Sequence, residues 1–249
     1  MENRTKEQMI VQNLKDIKII FDKYNVFCWL DWGSLLGAVR DNKIIEWDHE
    51  VDLGIMNNDF EKINLMIPEI KNQKFFVTKA PISAPRFTFR RDGYGIDVWF
   101  YYKINENFWA TDYHEPKKGF KMRILWLFWR LLAPEYGEAD LPKKGIKLTI
   151  TNCVKFIISV LPIRIKNYFI KYFKKILTEN NYRVLKKAIV PKHYFDKFKT
   201  INFYKMIFNI PFNVEDYLEY KYGKSWKIPT KNWGIKDDGA VKSSERHKE

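Results

Sequence analysis

The segment EWDHEVDLGI, residues 46–55, sets Asp48, Glu50 and Asp52 two residues apart in what reads as a β-strand. Side chains alternate faces along a strand, so the three carboxylates point one way while Val51 and Leu53 point the other. Three acids on one face repel each other unless a cation neutralises them. Oxygen ligands at this density suit Mg²⁺ or Mn²⁺ rather than zinc. Asp97 repeats the theme: in GIDVWFYY, residues 95–102, it stands between Ile96 and Val98 in a second apolar strand. An ionised carboxylate buried alone is costly, so Asp97 needs a partner; if the two strands are neighbours, the same metal pair supplies it.

Upstream, WLDWGSLLGAVR (29–40) reads as the end of a strand, a Gly33-Ser34 turn and a short helix from Ser34. Gly33 permits close backbone approach, Ser34 can donate a hydroxyl, and the amides opening the helix suit an anion. Arg40 could clamp the same phosphate. Carboxylates on a sheet facing a phosphate-binding turn are the two halves of a phosphoryl-transfer site. Taken singly each is weak, because acids at i, i+2 are most often the solvated face of an edge strand. The combination in order favours the site.

Elements that would position these residues follow from periodicity. Residues 6–23 repeat apolar positions at helical spacing, VFCWLDW (26–32) is a first strand, and HEVDLGIM (49–56) is a second. A helix follows from Asn57/Asn58 to about Asn72, then a hairpin of RFTFRR (86–91) and 95–104 about the Asp92-Gly93 turn. After Tyr113 the chain becomes basic and apolar, with helices expected to about Ile189. These expectations give an α+β fold with an α/β-type core, a mixed sheet flanked by helices. Its parts are a catalytic core over 1–112, a basic, mainly helical region over 113–233 that completes the domain on the acceptor or membrane side, and a flexible tail over 234–249.

The chain has 249 residues, 46% hydrophobic and 17% aromatic, enough for a packed core. Its net charge of +14 is concentrated between Tyr113 and Thr200, where 20 Lys/Arg face 6 Asp/Glu. Anionic partners follow: nucleotide, phosphorylated glycan, nucleic acid or an acidic membrane surface. Two cysteines are too few for a disulfide framework. MENRTKEQMIVQNLKDIKII lacks the apolar core of a signal peptide, so a cytoplasmic location is expected, with the chain peripheral on the inner face of a membrane as an extension. ILWLFWRLLA (124–133) and VKFIISVLPI (154–163) are too short to span a bilayer.

Residues 29–54 resemble the signature of the LicD/fukutin family, approximately W-L-D-x-G-T/S-L-L-G-x-x-R followed by W-D-x-D-x-D-[IL]-G. GIDVWFYY is similar to the family's later V-D-[IV]-F strand. YLEYKYGKSWKIPTKNW (217–233) resembles its closing Y-L-x-x-x-Y-G-x-x-W-x-x-P, in wording nearest the fukutin branch. The resemblance implies a nucleotidyltransferase-like fold. It also implies transfer of a phospho-alcohol, of the phosphocholine, ribitol phosphate or glycerol phosphate type, from a CDP-activated donor to a sugar hydroxyl of a glycan or lipid-linked glycan, with release of CMP. Carried onto this chain, Glu50 and Asp52 hold the metal, Asp48 supports them, and Asp97 completes the metal site or takes the acceptor's proton. Gly33 and Ser34 bind the diphosphate. The family usually has Asp where Glu50 stands; glutamate still ligates Mg²⁺ but places it differently. The rival readings are nucleotidyl transfer to a small molecule, protein or RNA with pyrophosphate release, and a non-catalytic pseudoenzyme or basic binding module. Nucleic acid is not the expected partner.

Two features stand outside that site. IRIKNYFIKYFKKIL (163–177) sets Ile165, Phe169, Tyr172, Phe173 and Ile176 on one helical face with most of its basic residues elsewhere. This fits a helix on an anionic membrane surface and equally one covering the protein's own core. The aromatic residues of KYGKSWKIPTKNW (221–233) suit packing anchors better than a stacking surface for a base or sugar.

Overall fold

The computed structural model describes residues 5–79, 86–116, 145–179 and 183–241. Two compact units emerge, one of Met1–Tyr113 with Lys186–Glu249 and one of His114–Leu185. The first begins with α1 (Lys6–Lys23), opened by a capping box in which Thr5 accepts from the Gln8 N–H and Gln8 reaches back to Thr5. Ile10, Leu14, Ile17 and Phe21, spaced three to four apart, are fully buried. Asn25 then leaves the helix at φ 52°, a left-handed position that asparagine tolerates.

The sheet of the first unit runs in the order β3 (Phe76–Lys79), β4 (Arg86–Arg91), β5 (Tyr94–Asn105), β2 (Glu50–Met56), β1 (Cys28–Leu30), β9 (Met206–Pro211), β8 (Phe198–Phe203). Off this path, β6 (Phe108–Pro116) pairs with β5 and β7 (Arg183–Pro191) pairs with β6. β2 and β5 are parallel, whereas β1 with β2 and β4 with β5 are antiparallel. The hairpin expected about Asp92-Gly93 is present, with φ 55° and 83° at those residues. Positive φ at both central positions matches the right-handed twist of the flanking strands.

Val51, Leu53 and Ile55 on β2 and Ile96, Val98 and Phe100 on β5 are fully buried. α1 packs on both strands and against α3 (Phe60–Asn72). Residues on one side of β2 and β5 thus make the core, which leaves the alternate positions, Asp52 and Asp97, for chemistry. α2 (Trp32–Arg40) packs on β2, and α6 (Val214–Tyr222) on β9. Gly54 is required here: a Cβ would come 2.3 Å from the Trp29 ring that crosses it.

Several sequence expectations need correction. Gly33 and Ser34 lie inside the first turn of α2 rather than in a turn before it, because Asp31 already caps the helix by accepting the Trp32 N–H at 2.8 Å. β2 starts at Glu50, so Asp48 belongs to the preceding loop, where its N–H donates to the Ile45 carbonyl at 2.9 Å. The helical region expected up to Ile189 ends earlier, since Arg183–Pro191 forms β7 beside β6. The expected loose tail is packed over its first residues: Asp238, Ala240 and Val241 are buried. Residues 124–133 lie outside those described.

In the second unit, α4 (Gly145–Val160) and α5 (Ile163–Glu179) are joined at Leu161-Pro162. The Pro162 carbonyl accepts from the N–H groups of Ile165 and Lys166, both at 3.0 Å, which opens α5. Among the described residues, no helix is long and apolar enough to cross a membrane. Cys28 is buried and Cys153 exposed, and both are free thiols.

Candidate active site

Parallel pairing sets Asp52 of β2 directly beside Asp97 of β5, and Glu50 beside Gly95. One oxygen from each of Glu50, Asp52 and Asp97 lies within 4.8 Å of the others. Asp97 is 1% exposed; its Oδ2 is 3.2 Å from Arg86 Nη1, while its Oδ1 is buried without a hydrogen-bond partner. Asp52 Oδ1 accepts from the Trp99 indole N–H at 2.9 Å, and Glu50 is 3.7 Å from Arg90. An unsatisfied buried carboxylate oxygen beside two further carboxylates is what a hard divalent cation resolves. The all-oxygen donor set fits such an ion, and this acidic cluster could hold one.

The electrostatics agree with that reading. Asp97 beside Glu50, and then burial, push the Glu50 carboxyl up to about 7 from the ordinary 4.5, against the pull of Arg86 and Arg90. Burial, with Glu50 and Asp97 nearby, holds Asp52 well above the usual carboxylate range despite the Trp99 hydrogen bond. Asp48 is raised as well, mainly by burial and against Lys6 and Arg40. Without a cation the native protein therefore retains protons that the unfolded chain releases. Stability of the metal-free protein is expected to fall as pH rises from about 4.5 to about 7. Addition of Mg²⁺ should restore it, most at the upper end, and Glu50→Gln should flatten the dependence; thermal melts across pH read all three. A melting temperature that does not fall over that range would contradict the crowding of the three acids.

Asp48, Glu50 and Asp52 line a cavity of about 380 Å³ together with Gly33, Arg40 and Arg86. Gly33 contributes by what it lacks: a Cβ there would stand 2.7 Å from Asp48 Oδ2. Gly33→Ala should push the Asp48 carboxylate aside and weaken metal affinity about tenfold, as loss of a supporting group around a metal does. Because alanine is the better helix former, stability should change by less than about 1 kcal/mol. A metal titration paired with a thermal melt separates the two effects. Ser34 is buried, and its Oγ accepts the Asp52 backbone N–H at 2.7 Å, so it fixes α2 against β2. Arg40 Nε and Nη2 both donate to the neighbouring Asp41, with Nη2 at 2.7 Å, while Arg40 also borders the cavity.

Sequence reasoning missed Arg86 and Arg90. The signal was present in RFTFRR, where Arg86, Thr88 and Arg90 alternate with the buried Phe87 and Phe89. Register places Arg86 opposite Trp99 and Thr88 opposite Asp97, with the Arg86 guanidinium 4.7 Å from the Trp99 ring centroid. The closing segment does more than pack: Tyr222, Trp226 and Trp233 line the same cavity, as do Trp32 and Trp47. The Tyr222 and Trp233 rings also pack on each other, centroids 4.7 Å apart and tilted by 44°, so cavity lining and packing anchor are the same residues.

Asp31 was missed too. It is fully buried, and its Oδ2 accepts from the Tyr101 hydroxyl at 2.6 Å, its Oδ1 from Tyr217 at 3.0 Å. Lys221 Nζ lies 3.7 Å from Asp31, 3.4 Å from Asp238 and 3.5 Å from the Trp32 ring centroid. Trp32 takes φ 45°, a strained value for a tryptophan, and its ring is 5.0 Å from Trp99. This network ties Trp32, which lines the cavity, to Tyr101 of β5, the strand that carries Asp97.

Residues 25–130 match the nucleotidyltransferase domain of the LicD/FKTN/FKRP family. An uncharacterized protein of Rickettsia prowazekii is 33% identical over 69 residues, which are 28% of this chain and 26% of that protein. The ribitol 5-phosphate transferase FKRP of Homo sapiens is 29% identical over 93 residues, 34% of this chain and 19% of FKRP. The chain thus spans about a quarter or less of the length of these relatives. Among solved structures, the antibiotic-resistance factor ANT(2'')-Ia in solution covers 70% of this chain and 96% of its own at 11% identity, with a TM-score of 0.33, too low for anything to rest on. The acid-bearing strands and the helix before them all fall within residues 25–130, the segment that is similar to the nucleotidyltransferase domain of the LicD/FKTN/FKRP family.

Proposed function

We propose that this protein transfers a phospho-alcohol from a CDP-activated donor to a sugar hydroxyl of a glycan, with CMP as the leaving group. The observation that carries the reading is the cluster of Glu50, Asp52 and Asp97, the first two of which line a cavity rich in aromatic residues, within a segment similar to the LicD-family nucleotidyltransferase domain. Glu50, Asp52 and Asp97 would hold Mg²⁺ or Mn²⁺, which neutralises charge on the phosphates and orients them for in-line displacement. Trp99 and Arg86 fix the Asp52 and Asp97 carboxylates. Arg86 and Arg90 add positive charge beside the cluster, and the tryptophans lining the cavity exclude water and offer flat faces for the cytosine or the alcohol. The acceptor oxygen bonds to the phosphorus next to the alcohol, the phosphoanhydride breaks, and CMP takes the electron pair. A carboxylate of the cluster takes the hydroxyl proton. The methylene by which Glu50 exceeds aspartate is accommodated because Glu50 sits at the open end of β2, its side chain 44% exposed.

The test is product analysis with CDP-choline, CDP-ribitol, CDP-glycerol and CDP-ethanolamine, each with Mg²⁺ and mixed glycan acceptors. CMP release that requires acceptor, metal and Asp52 supports the reading and names the donor. Pyrophosphate release from a nucleoside triphosphate, with no CMP from any CDP-alcohol, would replace it by nucleotidyl transfer.

A further inference from the structure

The helix pair α4–α5 carries a surface that the proposed reaction does not use. From Leu141 to Thr178 the chain has nine Lys/Arg and no Asp or Glu. Apolar side chains of a helix pair in water normally turn inward, yet Phe156 (70% exposed), Val160 (67%) and Ile163 (68%) face solvent around the α4–α5 connection. Tyr168 is 64% exposed further along α5. Of the fifteen large exposed apolar residues among the described residues, eight fall between Phe156 and Tyr172, so the exposure is a patch and not scatter.

Its charge pattern says what it faces. With about 3.6 residues per turn, Ile165, Tyr168 and Tyr172 share one side of α5. The exposed Arg164, Lys171 and Lys175 lie on the adjoining side. Apolar tip, tyrosines at the boundary and basic residues alongside are the arrangement of a helix lying in a lipid headgroup layer, where long cationic side chains reach the phosphates. A second copy of the same surface would bring two acid-free basic stripes together. A polyanion in water would use the charges and leave Phe156, Val160 and Ile163 unexplained.

We propose that the α4–α5 helix pair docks on an anionic lipid bilayer, with Phe156, Val160 and Ile163 entering the acyl boundary and the basic stripe of α5 meeting headgroup phosphates. This surface is independent of the reaction assigned to the acidic cluster, and either can fail without the other.

Flotation of the full chain with phosphatidylcholine vesicles, with and without phosphatidylglycerol, tests it. Binding is expected to the phosphatidylglycerol vesicles and to weaken in high salt. It should fall at least about tenfold in R164E/K171E, since each basic residue near an anionic surface contributes about 1 kcal/mol. A similar loss is expected in F156S/V160S/I163S, whose side chains are already exposed, so that its thermal melt should match the wild type. Three results would overturn the proposal. The first is a folded wild-type protein that fails to float with anionic vesicles. The second is self-association abolished by F156S/V160S/I163S in a protein that binds no vesicles. The third is binding to duplex nucleic acid that R164E/K171E removes while vesicles are ignored.

Discussion

Asp52→Asn is expected to abolish metal-dependent turnover, by about a thousandfold or more, while leaving the metal-free protein at least as stable as the wild type. The loss follows from charge: phosphoryl transfer relies on electrostatic stabilisation, and removing one well-placed group of that kind costs about 10²–10³ in rate. In the proposed role of metal ligand, Asp52 would contribute both affinity and position, which sets the expectation at the upper end. The stability follows from the same crowding. Burial, Glu50 and Asp97 all disfavour the ionised Asp52, so a neutral side chain relieves repulsion at pH above 7. Asparagine keeps an oxygen to accept the Trp99 N–H, now 2.9 Å from Asp52 Oδ1. Function and stability therefore move in opposite directions, as expected where a site stores strain for its ligand. Turnover and thermal melts on the same preparations check the pair; a variant that loses activity because it melts early would contradict the explanation.

The largest stability effect is expected at Asp31. Asp31→Ala should cost about 3–5 kcal/mol, the range for removing one partner of a buried ion pair. It strips the Tyr101 and Tyr217 hydroxyls and the Trp32 N–H of their acceptor, and it leaves the buried Lys221 ammonium with Asp238 alone at 3.4 Å. Since a domain of ordinary stability has about 5–15 kcal/mol in all, the variant should sit close to its unfolding threshold. Urea denaturation gives the number. A loss below about 1 kcal/mol would mean that the network is solvated in the native state, contrary to the full burial of Asp31 and Lys221.

How much of this was legible in the sequence depends on sequence distance. The acids of β2 and Asp97 were readable because strand alternation is local, and their pairing needed only one parallel neighbour. The α1 boundaries and the Asp92-Gly93 turn were equally local, resting on a capping box and two left-handed residues. The aromatic lining was not readable: Trp226 and Trp233 reach the cavity through a chain path of nearly two hundred residues, and nothing in KYGKSWKIPTKNW distinguishes a cavity lining from a packing anchor. The same holds for Asp31 with Lys221, and for Trp29 of β1 paired in parallel with Asn209 of β9. β7 was mistaken for helix because Arg183, Lys186 and Lys187 fall at helical spacing with no turn signal before them, and its strand state is set by β6 beside it.

The central claim is that Glu50, Asp52 and Asp97 form one divalent-cation site. A calorimetric titration of the full chain with Mn²⁺ above pH 7 tests it most directly, with wild type, Asp52→Asn and Asp97→Asn side by side. Saturable binding by the wild type that both variants lose, with proton release on binding, is the predicted result. Equal binding by all three proteins, or no binding by a folded wild type, would contradict it.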